Sequence, residues 1–277
     1  MKKKVFAVVL SMMMVLTFCT ACGSSDSSGS SSSSAASDGG QSVADMTTFT
    51  VGFDAEYPPF GYKDDNGEYT GFDLELAQAV CDMEGWTLKK NPIDWDSKDM
   101  ELNSGSIDCI WNGFTINGRE DDYTWSIPYC DNSQVVVVPA DSDIKTLSDL
   151  EGKIVGVQTA SAAYDVLTNE DQQKELGDTF AELQQFGDYN TAFTELQAGS
   201  IDALAIDVGV ANYQIKQRGD GYVKLDEALN SEQYGVGFKK GNTELRDVIN
   251  EDLKALKEDG TVDKLAEKYQ IEDMICL

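Results

Sequence analysis

The sequence of 277 residues contains no histidine. Histidine is the general base of Ser-His-Asp and Cys-His catalysis, and its imidazole is a frequent ligand of zinc. Its absence therefore excludes these nucleophilic mechanisms and every histidine-ligated metal site. We expect neither a metal nor a cofactor from the residues that remain.

Basic residues are scarce as well, since 21 lysines and arginines stand against 49 aspartates and glutamates, for a formal net charge of −28. Three of these lysines, Lys2, Lys3 and Lys4, lie at the start of the chain, and without them the balance is 18 − 49 = −31. A surface this acidic repels nucleic acid and anionic membranes. We expect no nucleic-acid partner.

Cysteines are few and have no zinc-type spacing. Beyond residue 22 the chain contains only Cys81, Cys109, Cys130 and Cys276. Outside the cell four cysteines can form disulfides with three complete pairings, which the sequence cannot rank. Buried free thiols are the equally weighted alternative.

The N-terminal residues 1–22 have the order of a secretory signal: a basic start, an apolar run and small residues before Cys22. Cleavage before Cys22 would leave an N-terminal cysteine, so we interpret the segment as a lipoprotein signal with Cys22 as the acylation site. Plain secretion with a free thiol is the alternative. Residues 23–45, rich in serine and glycine, are expected to be a flexible tether reaching about 25 Å.

One stretch, residues 112–119, has the composition of a carboxylate-binding loop. It follows the apolar run 107–111, which is typical of a buried strand, and ligands of open α/β sheets bind at the carboxyl ends of strands. Backbone N–H groups, the Thr115 hydroxyl and the Arg119 guanidinium can all donate to a carboxylate. The alternative for Arg119 is a surface ion pair with one of the neighbouring acids Glu120, Asp121 or Asp122.

The chain also contains an internal repeat. Residues 102–108 (LNSGSID) return as residues 196–202 (LQAGSID), and Val51-Gly52 has a counterpart in Val155-Gly156. Two matches in the same order predict two lobes with one βαβαβ plan and mainly parallel sheets. If the lobes face each other, the strand ends that carry Asp54, Trp95 and residues 112–119 meet those that carry Ser161 and Asp207.

Local patterns predict further elements. Asn66-Gly67 indicates a hairpin turn, which we prefer to a calcium loop because the glycine falls one place early. Helical spacing of apolar residues predicts a helix from Phe72 to about Gly85, with Met83 on its buried face, and two C-terminal helices separated at Asp259-Gly260. The extended runs 134–139 and 234–238 are candidate crossing strands of a hinge, or else ordinary sheet strands.

Taken together, these segments resemble the bacterial family 3 extracellular solute-binding proteins, the amino-acid receptors of ATP-driven importers. The resemblance covers about residues 48–269. The segments that carry it are 54–60 (DAEYPPF), 71–74 (GFDL), 113–116 (GFTI), 155–158 (VGVQ), 201–203 (IDA) with Asp207, and 259–261 (DGT). It implies an α/β, two-lobed periplasmic-binding-protein-like fold (type II), with two crossing hinge strands and a ligand cleft between the lobes. Lobe 1 would contain residues 46–135 and 235–277, and lobe 2 residues 136–234.

The resemblance also implies roles for individual residues. Arg119 would hold the α-carboxylate of an amino acid, and Asp207 would hold its α-ammonium group. The other residues implied at the site are Thr115 and the backbone of Gly113, Ser161 and Ala162 for the carboxylate, Tyr57 and Trp95 around the ligand side chain, Phe60, Asn112 and Phe114 close by, and Asp54 near the tip. In many relatives the arginine follows the threonine by five positions, whereas Arg119 follows Thr115 by four.

The function implied is capture, without catalysis, of a free L-amino acid, with polar or cationic ligands favoured and cystine possible. The protein would be a monomer outside the cytoplasm, lipid-anchored to the bacterial cell membrane, and would deliver its ligand to an ABC permease and its ATPase. The alternative is a cleft enzyme of the same fold, such as a cyclohexadienyl or arogenate-type dehydratase, with Asp54 or Glu56 as general acid.

Overall fold

The apolar runs of the sequence form strands of two five-stranded sheets. The computed structural model describes residues 43–277, so the predicted signal, Cys22 and most of the predicted tether lie outside the described residues. The last three residues predicted for the tether form a short 3-10 helix, Val43–Asp45. Val43 packs against the main hydrophobic core, so the folded region begins slightly earlier than predicted.

The structure defines fifteen strands and eight α-helices among the described residues. The strands are β1 (Thr48–Phe53), β2 (Glu56–Tyr57), β3 (Gly61–Lys63), β4 (Tyr69–Thr70), β5 (Thr87–Pro92), β6 (Cys109–Ile110), β7 (Thr124–Trp125), β8 (Cys130–Asn132), β9 (Gln134–Pro139), β10 (Ile154–Gln158), β11 (Glu182–Phe186), β12 (Ala203–Asp207), β13 (Tyr222–Lys224), β14 (Glu232–Tyr234) and β15 (Gly237–Phe238). The helices are α1 (Phe72–Glu84), α2 (Lys98–Ser104), α3 (Ala162–Thr168), α4 (Lys174–Gly177), α5 (Tyr189–Ala198), α6 (Val208–Arg218), α7 (Thr243–Glu258) and α8 (Thr261–Tyr269).

Both large sheets combine a parallel core with antiparallel strands. The first has the order β5-β1-β6-β15-β7, in which β1 is parallel to β5 and β6. The second has the order β11-β10-β12-β9-β13, in which β10 is parallel to β11 and β12. In the first sheet β15 pairs antiparallel with both β6 and β7. In the second sheet β9 pairs antiparallel with both β12 and β13. The predicted two-lobed α/β fold is confirmed.

A separate two-stranded sheet joins the lobes. Strands β8 and β14 pair antiparallel, with Asn132 opposite Glu232 and Cys130 opposite Tyr234. The run 134–139, one of the predicted crossing strands, is instead β9, an interior strand of the second sheet, and the crossing strand β8 lies directly before it. Of the other predicted run, 234–238, only Tyr234 belongs to the crossing strand β14. The valines of β9 are buried because β12 and β13 flank it, whereas the crossing strands carry the buried polar residues Asn132 and Glu232.

The internal repeat is confirmed in atomic detail. The glycines after α2 and α5, Gly105 and Gly199, both adopt left-handed backbone angles, with φ of 77° and 72°. Asp108 Oδ2 accepts the Thr50 N–H at 2.7 Å, and Asp202 Oδ2 accepts the Ile154 N–H at 2.8 Å. The same seven-residue motif therefore anchors the strands β1 and β10 through an aspartate.

Helix α1 and the two C-terminal helices cover the first lobe. Helix α1 ends as predicted before Gly85, but Met83 is 47% exposed, and the buried face contains Leu76, Val80 and Cys81 instead. The break between α7 and α8 falls at residues 259–260 as predicted, and both helices pack against α1. The hydroxyl of Tyr269 donates to Glu75 Oε1 at 2.7 Å, which ties α8 to the first turns of α1.

All four cysteines of the described region are free thiols. Cys81, Cys109 and Cys130 are buried, and burial raises the pKa of the Cys81 thiol to about 12. Of the two alternatives left open by the sequence, the structure has the free thiols. Between residues 43 and 277, no helix combines the length and the apolar character that a bilayer crossing requires.

Candidate functional site

A small cavity of about 10 Å³ lies between the two lobes. The residues that line it come from loops and strand ends of both lobes and are Tyr57, Trp95, Gly113, Thr115, Arg119, Gln158, Ser161, Ala162 and Asp207. All but Gln158 are residues that the sequence marked for a ligand site. The structure brings them together because the carboxyl ends of the parallel strands of both sheets meet at the cleft.

Gly113 occupies a position that no other residue fits. Its φ is 54°, and a Cβ atom there would lie 2.8 Å from the Tyr57 ring and 3.0 Å from the Tyr234 ring. The Gly113 N–H, which we had expected to donate to a ligand carboxylate, donates instead to the buried Oδ2 of Asp73 at 2.6 Å. This hydrogen bond therefore holds the loop that contains Gly113 in place.

Thr115 also has a partner that the sequence did not indicate. Its hydroxyl donates to Glu232 Oε1 at 2.8 Å, and both residues are buried. Glu232 lies on the crossing strand β14, so this bond connects the loop 112–119 of the first lobe with the crossing strands. The hydroxyl is oriented by Glu232, which fixes the rotamer of a side chain that lines the cavity.

Arg119 crosses the cleft. Its Nη2 lies 2.5 Å from Oδ2 of Asp165, which belongs to α3 of the second lobe, and its side chain is only 11% exposed. The guanidinium carbon also lies 5.5 Å from the centre of the Phe114 ring. The expected alternative, an ion pair with one of the neighbouring acids, is wrong, because the acidic partner lies 46 residues further along the chain.

Asp207, at the end of β12, is surrounded by neutral donors. Its carboxylate accepts hydrogen bonds from the Tyr234 hydroxyl at 2.7 Å, Gln134 Nε2 at 2.6 Å, Asn132 Nδ2 at 2.9 Å and the Tyr189 hydroxyl at 3.3 Å. Glu232 accepts from the same two amide groups. Burial, followed by the charge of Asp207, raises the pKa of Glu232.

Asp54 makes a second contact across the cleft. Its Oδ2 accepts Gln158 Nε2 at 2.6 Å, and burial raises the pKa of its carboxyl group to about 6. The internal repeat aligns Asp54 with Gln158, since each lies two residues after the glycine of a Val-Gly pair. Asn112 does not reach the cavity, because its Oδ1 accepts the Asp54 N–H at 2.8 Å and so positions that backbone.

The predicted aromatic residues form two layers. Tyr57 and Trp95 line the cavity itself. Phe60 lies behind Tyr57, with ring centres 5.9 Å apart, and Phe114 packs edge-on against Trp95 at 5.5 Å. Phe60 and Phe114 therefore support the inner pair, and neither is among the cavity-lining residues.

An acidic chamber of about 580 Å³ opens beside Trp95. The residues lining it include six acids and neither lysine nor arginine; the acids are Asp54, Glu56, Asp94, Asp96, Glu101 and Asp188. A larger chamber of about 800 Å³ is lined by both Lys98 and Arg119 together with several acids. The Asp54 end of the cleft therefore favours positive charge.

The lobes touch directly across the cleft. Besides the contacts of Asp54 and Arg119, Lys98 Nζ donates to the Ala160 carbonyl at 3.4 Å, and Asn190 Nδ2 donates to Glu56. A cavity of about 10 Å³ has room for about one water molecule at most. A solute of amino-acid size can enter only if these contacts break and the lobes separate.

Three residues of this site escaped the sequence analysis: Gln158, Asp165 and Glu232. The repeat offered a signal for Gln158, because it occupies the position equivalent to Asp54. No local signal marked Asp165 or Glu232, whose partners lie 46 and 117 residues away in the chain. Groups of three or more metal-ligating side chains that could hold an ion are absent from residues 43–277.

Comparison with known proteins agrees with this architecture. The L-cystine-binding protein TcyJ of Escherichia coli (strain K12) is 31% identical over 230 residues, which cover 82% of this chain and 84% of that protein. A histidine-bound substrate-binding protein of an ABC uptake transporter from Streptococcus pneumoniae superposes with a TM-score of 0.78 at 35% identity, covering 83% of this chain and 95% of that one. An ancestral arginine-binding protein bound to arginine has a TM-score of 0.74 at 38% identity, covering 81% and 98%.

The sequence profile of one family matches residues 49–272, which include both sheets and the whole cleft. The chain therefore belongs to the bacterial extracellular solute-binding proteins, family 3.

Proposed function

We propose that this protein captures a cationic L-amino acid outside the cytoplasm and delivers it to the permease of an ATP-driven importer. The observation that carries the proposal is that one cavity is lined by Arg119 from the first lobe and Asp207 from the second. An amino-acid zwitterion loses hydration in a closed cleft, so each of its charges needs an opposite partner there. Only the closed arrangement presents both partners at once, and ligand binding therefore favours closure.

The preference for a positive side chain follows from the acidic chamber. A ligand whose carboxylate meets Arg119 and whose side chain passes between Tyr57 and Trp95 would direct its far end towards Asp54 and the chamber. A guanidinium or ammonium group is attracted there. The far end of cystine carries both an ammonium group and a carboxylate and has no net charge, so six acids attract it less than a guanidinium or ammonium side chain, and we rank arginine and lysine above cystine.

Interaction energies of ordinary size are sufficient for micromolar binding of such a ligand. Hydrogen bonds to charged groups contribute about 1.5–3 kcal/mol each. Micromolar affinity corresponds to about −8 kcal/mol, which a few such bonds and the burial of a side chain against Tyr57 and Trp95 can supply.

The proposal also includes acylation at Cys22, the two lobe boundaries and a monomeric state. Acylation at Cys22 is supported by the order of the N-terminal sequence, and the lobe boundaries, 46–135 with 235–277 and 136–234, by sheet membership. Only β9 (Gln134–Pro139) straddles a proposed boundary. A monomer is proposed because the cleft is complete within one chain.

The test is a thermal-shift screen of the twenty amino acids and cystine, followed by titration calorimetry. We expect arginine or lysine to give the largest shift. The proposal fails if none of the twenty-one compounds binds, and its preference for cations fails if cystine binds most tightly.

One observation favours a second candidate, a cleft dehydratase. Burial raises the pKa of Asp54 to about 6, which suits a general acid near neutral pH. Turnover of prephenate or arogenate by the purified protein would support this candidate, and the Asp54→Asn variant would then lose it.

A further inference from the structure

The carboxylates of Asp207 and Glu232 share the same two hydrogen-bond donors. Asn132 Nδ2 lies 2.9 Å from Asp207 Oδ1 and 2.7 Å from Glu232 Oε1. Gln134 Nε2 lies 2.6 Å from Asp207 Oδ1 and 2.8 Å from Glu232 Oε1. Each amide NH₂ has two hydrogens, so each can bridge the two acids. The four side chains form one buried polar unit beside the cavity.

This unit contains no positive side chain. The remaining donors to it are neutral: the hydroxyls of Tyr234 and Tyr189, the hydroxyl of Thr115, and Asn230 Nδ2 at 2.8 Å from Glu232 Oε2. Among residues 43–277, neither acid forms an ion pair with a lysine or an arginine. Two uncompensated negative charges are costly in a buried site, so one proton or one external cation would stabilise the pair.

The titratable groups that face Glu232 come from three elements. Asp207 lies at the end of β12, Tyr189 on α5, and Tyr234 on β14 beside Glu232 itself. Burial raises the pKa values of both tyrosines well above the usual range, so they remain neutral. The other groups that donate to Glu232, which do not titrate, are Thr115, Asn132, Gln134 and Asn230. Asp207 is thus the one charged group among these neighbours, and its repulsion favours a proton on Glu232.

We propose that Asp207 and Glu232 act as a two-carboxylate unit that exchanges a proton for the ammonium group of the ligand. In the free protein Glu232 holds the proton, and when the ammonium group binds at Asp207 this proton passes to solvent. This inference rests on the proposed function. Glu232 is a positioning residue, which acts through Asp207 and through the Thr115 hydroxyl that it orients.

The proposed exchange of a proton for the ligand determines the direction in which affinity changes with pH. Because the bound state holds fewer protons than the free state, affinity increases with pH across the interval between the bound and free pKa values of Glu232. Within that interval affinity falls about tenfold for each pH unit of acidification. Above it the affinity no longer depends on Glu232.

The experiment is titration calorimetry with L-arginine at several pH values between 4 and 8, in buffers of different ionisation enthalpy. Glu232→Gln keeps Oε1, which accepts from Thr115, Asn132 and Gln134, and replaces only Oε2, which accepts from Asn230. Glu258→Gln, at an exposed position of α7, is the matched control. We expect up to about one proton released per arginine in the parent and the control, and a smaller release in Glu232→Gln.

Two outcomes overturn the inference and leave the proposed function in place. Either Glu232→Gln binds arginine with the same affinity as the parent at every pH, or it weakens binding by the same factor at every pH, as a purely structural residue would. If neither arginine nor any other amino acid binds, the proposed function fails, and the inference fails with it.

A second measurement needs no ligand. Carbon-13 NMR of glutamate carboxyl groups, assigned by comparison with Glu232→Gln, follows the titration of Glu232 in the free protein. We expect its midpoint to lie above that of exposed glutamates and to fall in Asp207→Asn, which removes the repelling charge. A midpoint within the ordinary range and unchanged in Asp207→Asn contradicts the inference.

Discussion

The guanidinium of Arg119 and the carboxylate of Asp165, which belong to different lobes, meet across the cleft with Nη2 and Oδ2 2.5 Å apart. The pair forms only when the lobes are together. It uses one nitrogen of a group with five N–H donors, so the other donors can still meet a ligand carboxylate. Under the proposed function, Arg119 therefore both binds the ligand carboxylate and stabilises the closed form.

The first prediction concerns this pair. Asp165→Asn removes an ion pair made only in the closed form, so it should weaken ligand binding. Because the Asp165 side chain is 48% exposed, solvent screens the interaction, and we expect a loss of about 0.2–1 kcal/mol, or up to about fivefold in affinity. Calorimetry with arginine measures it. Asp178→Asn breaks a pair with Lys174 within one helix region and is the matched control. Tighter binding by Asp165→Asn would mean that Asp165 competes with the ligand for Arg119.

The second prediction concerns the charge of Asp54. At pH 8, above its pKa of about 6, the carboxylate is ionised and should attract a ligand guanidinium. Asp54→Asn should weaken arginine binding by about 1.5–3 kcal/mol, while binding of citrulline, the uncharged isostere of arginine, should change much less. Competition binding with both ligands measures the ratio. Equal losses for the two ligands would show that Asp54 acts through structure alone.

The third prediction concerns Asp73, whose carboxylate accepts the Gly113 N–H and the Tyr129 hydroxyl. Burial raises its pKa from 3.8 to about 7. Since the folded state holds this proton more tightly than the unfolded chain, stability from Asp73 is present below pH 4 and is lost as pH rises through 7. The loss should be on the order of 4 kcal/mol.

Urea denaturation between pH 4 and pH 8 checks this prediction. Asp73→Asn keeps an oxygen for both donors and cannot ionise, so its stability relative to the parent should increase with pH. Asp220→Asn, in an exposed loop, is the control and should follow the parent. Parallel curves for Asp73→Asn and the parent would show that Asp73 does not titrate in this interval.

The part of the fold that could be predicted from sequence is the part set by local interactions. The LNSGSID repeat was informative because each copy forms the same local contacts. Its glycine adopts a left-handed turn, and its aspartate accepts a backbone N–H of the neighbouring parallel strand. Because both copies make the same contacts, the strands that follow them, β6 and β12, occupy equivalent positions in the two sheets. The ends of the parallel strands supplied most of the cavity-lining residues.

The errors arose where distant segments meet. The crossing strands were placed a few residues too late, because the apolar run of β9 was a stronger signal than the polar residues Asn132 and Glu232 that occupy the true connection. We predicted that the Gly113 N–H donates to a ligand because no nearby residue in the sequence indicates its actual acceptor. That acceptor is Asp73, 40 residues earlier. Met83 was assigned to a buried face from its spacing alone, although the last turn of α1 extends beyond the core.

The central claim is that Arg119 and Asp207 grip opposite ends of one zwitterion from separate lobes. Titration calorimetry of Arg119→Ala and Asp207→Ala with arginine tests it most directly, with Arg246→Ala, whose arginine pairs with its neighbour Asp247, as the control. Each site variant should lose about 2–5 kcal/mol of binding free energy, since a buried charge is left without its partner. Affinity within threefold of the parent for either site variant would contradict the account.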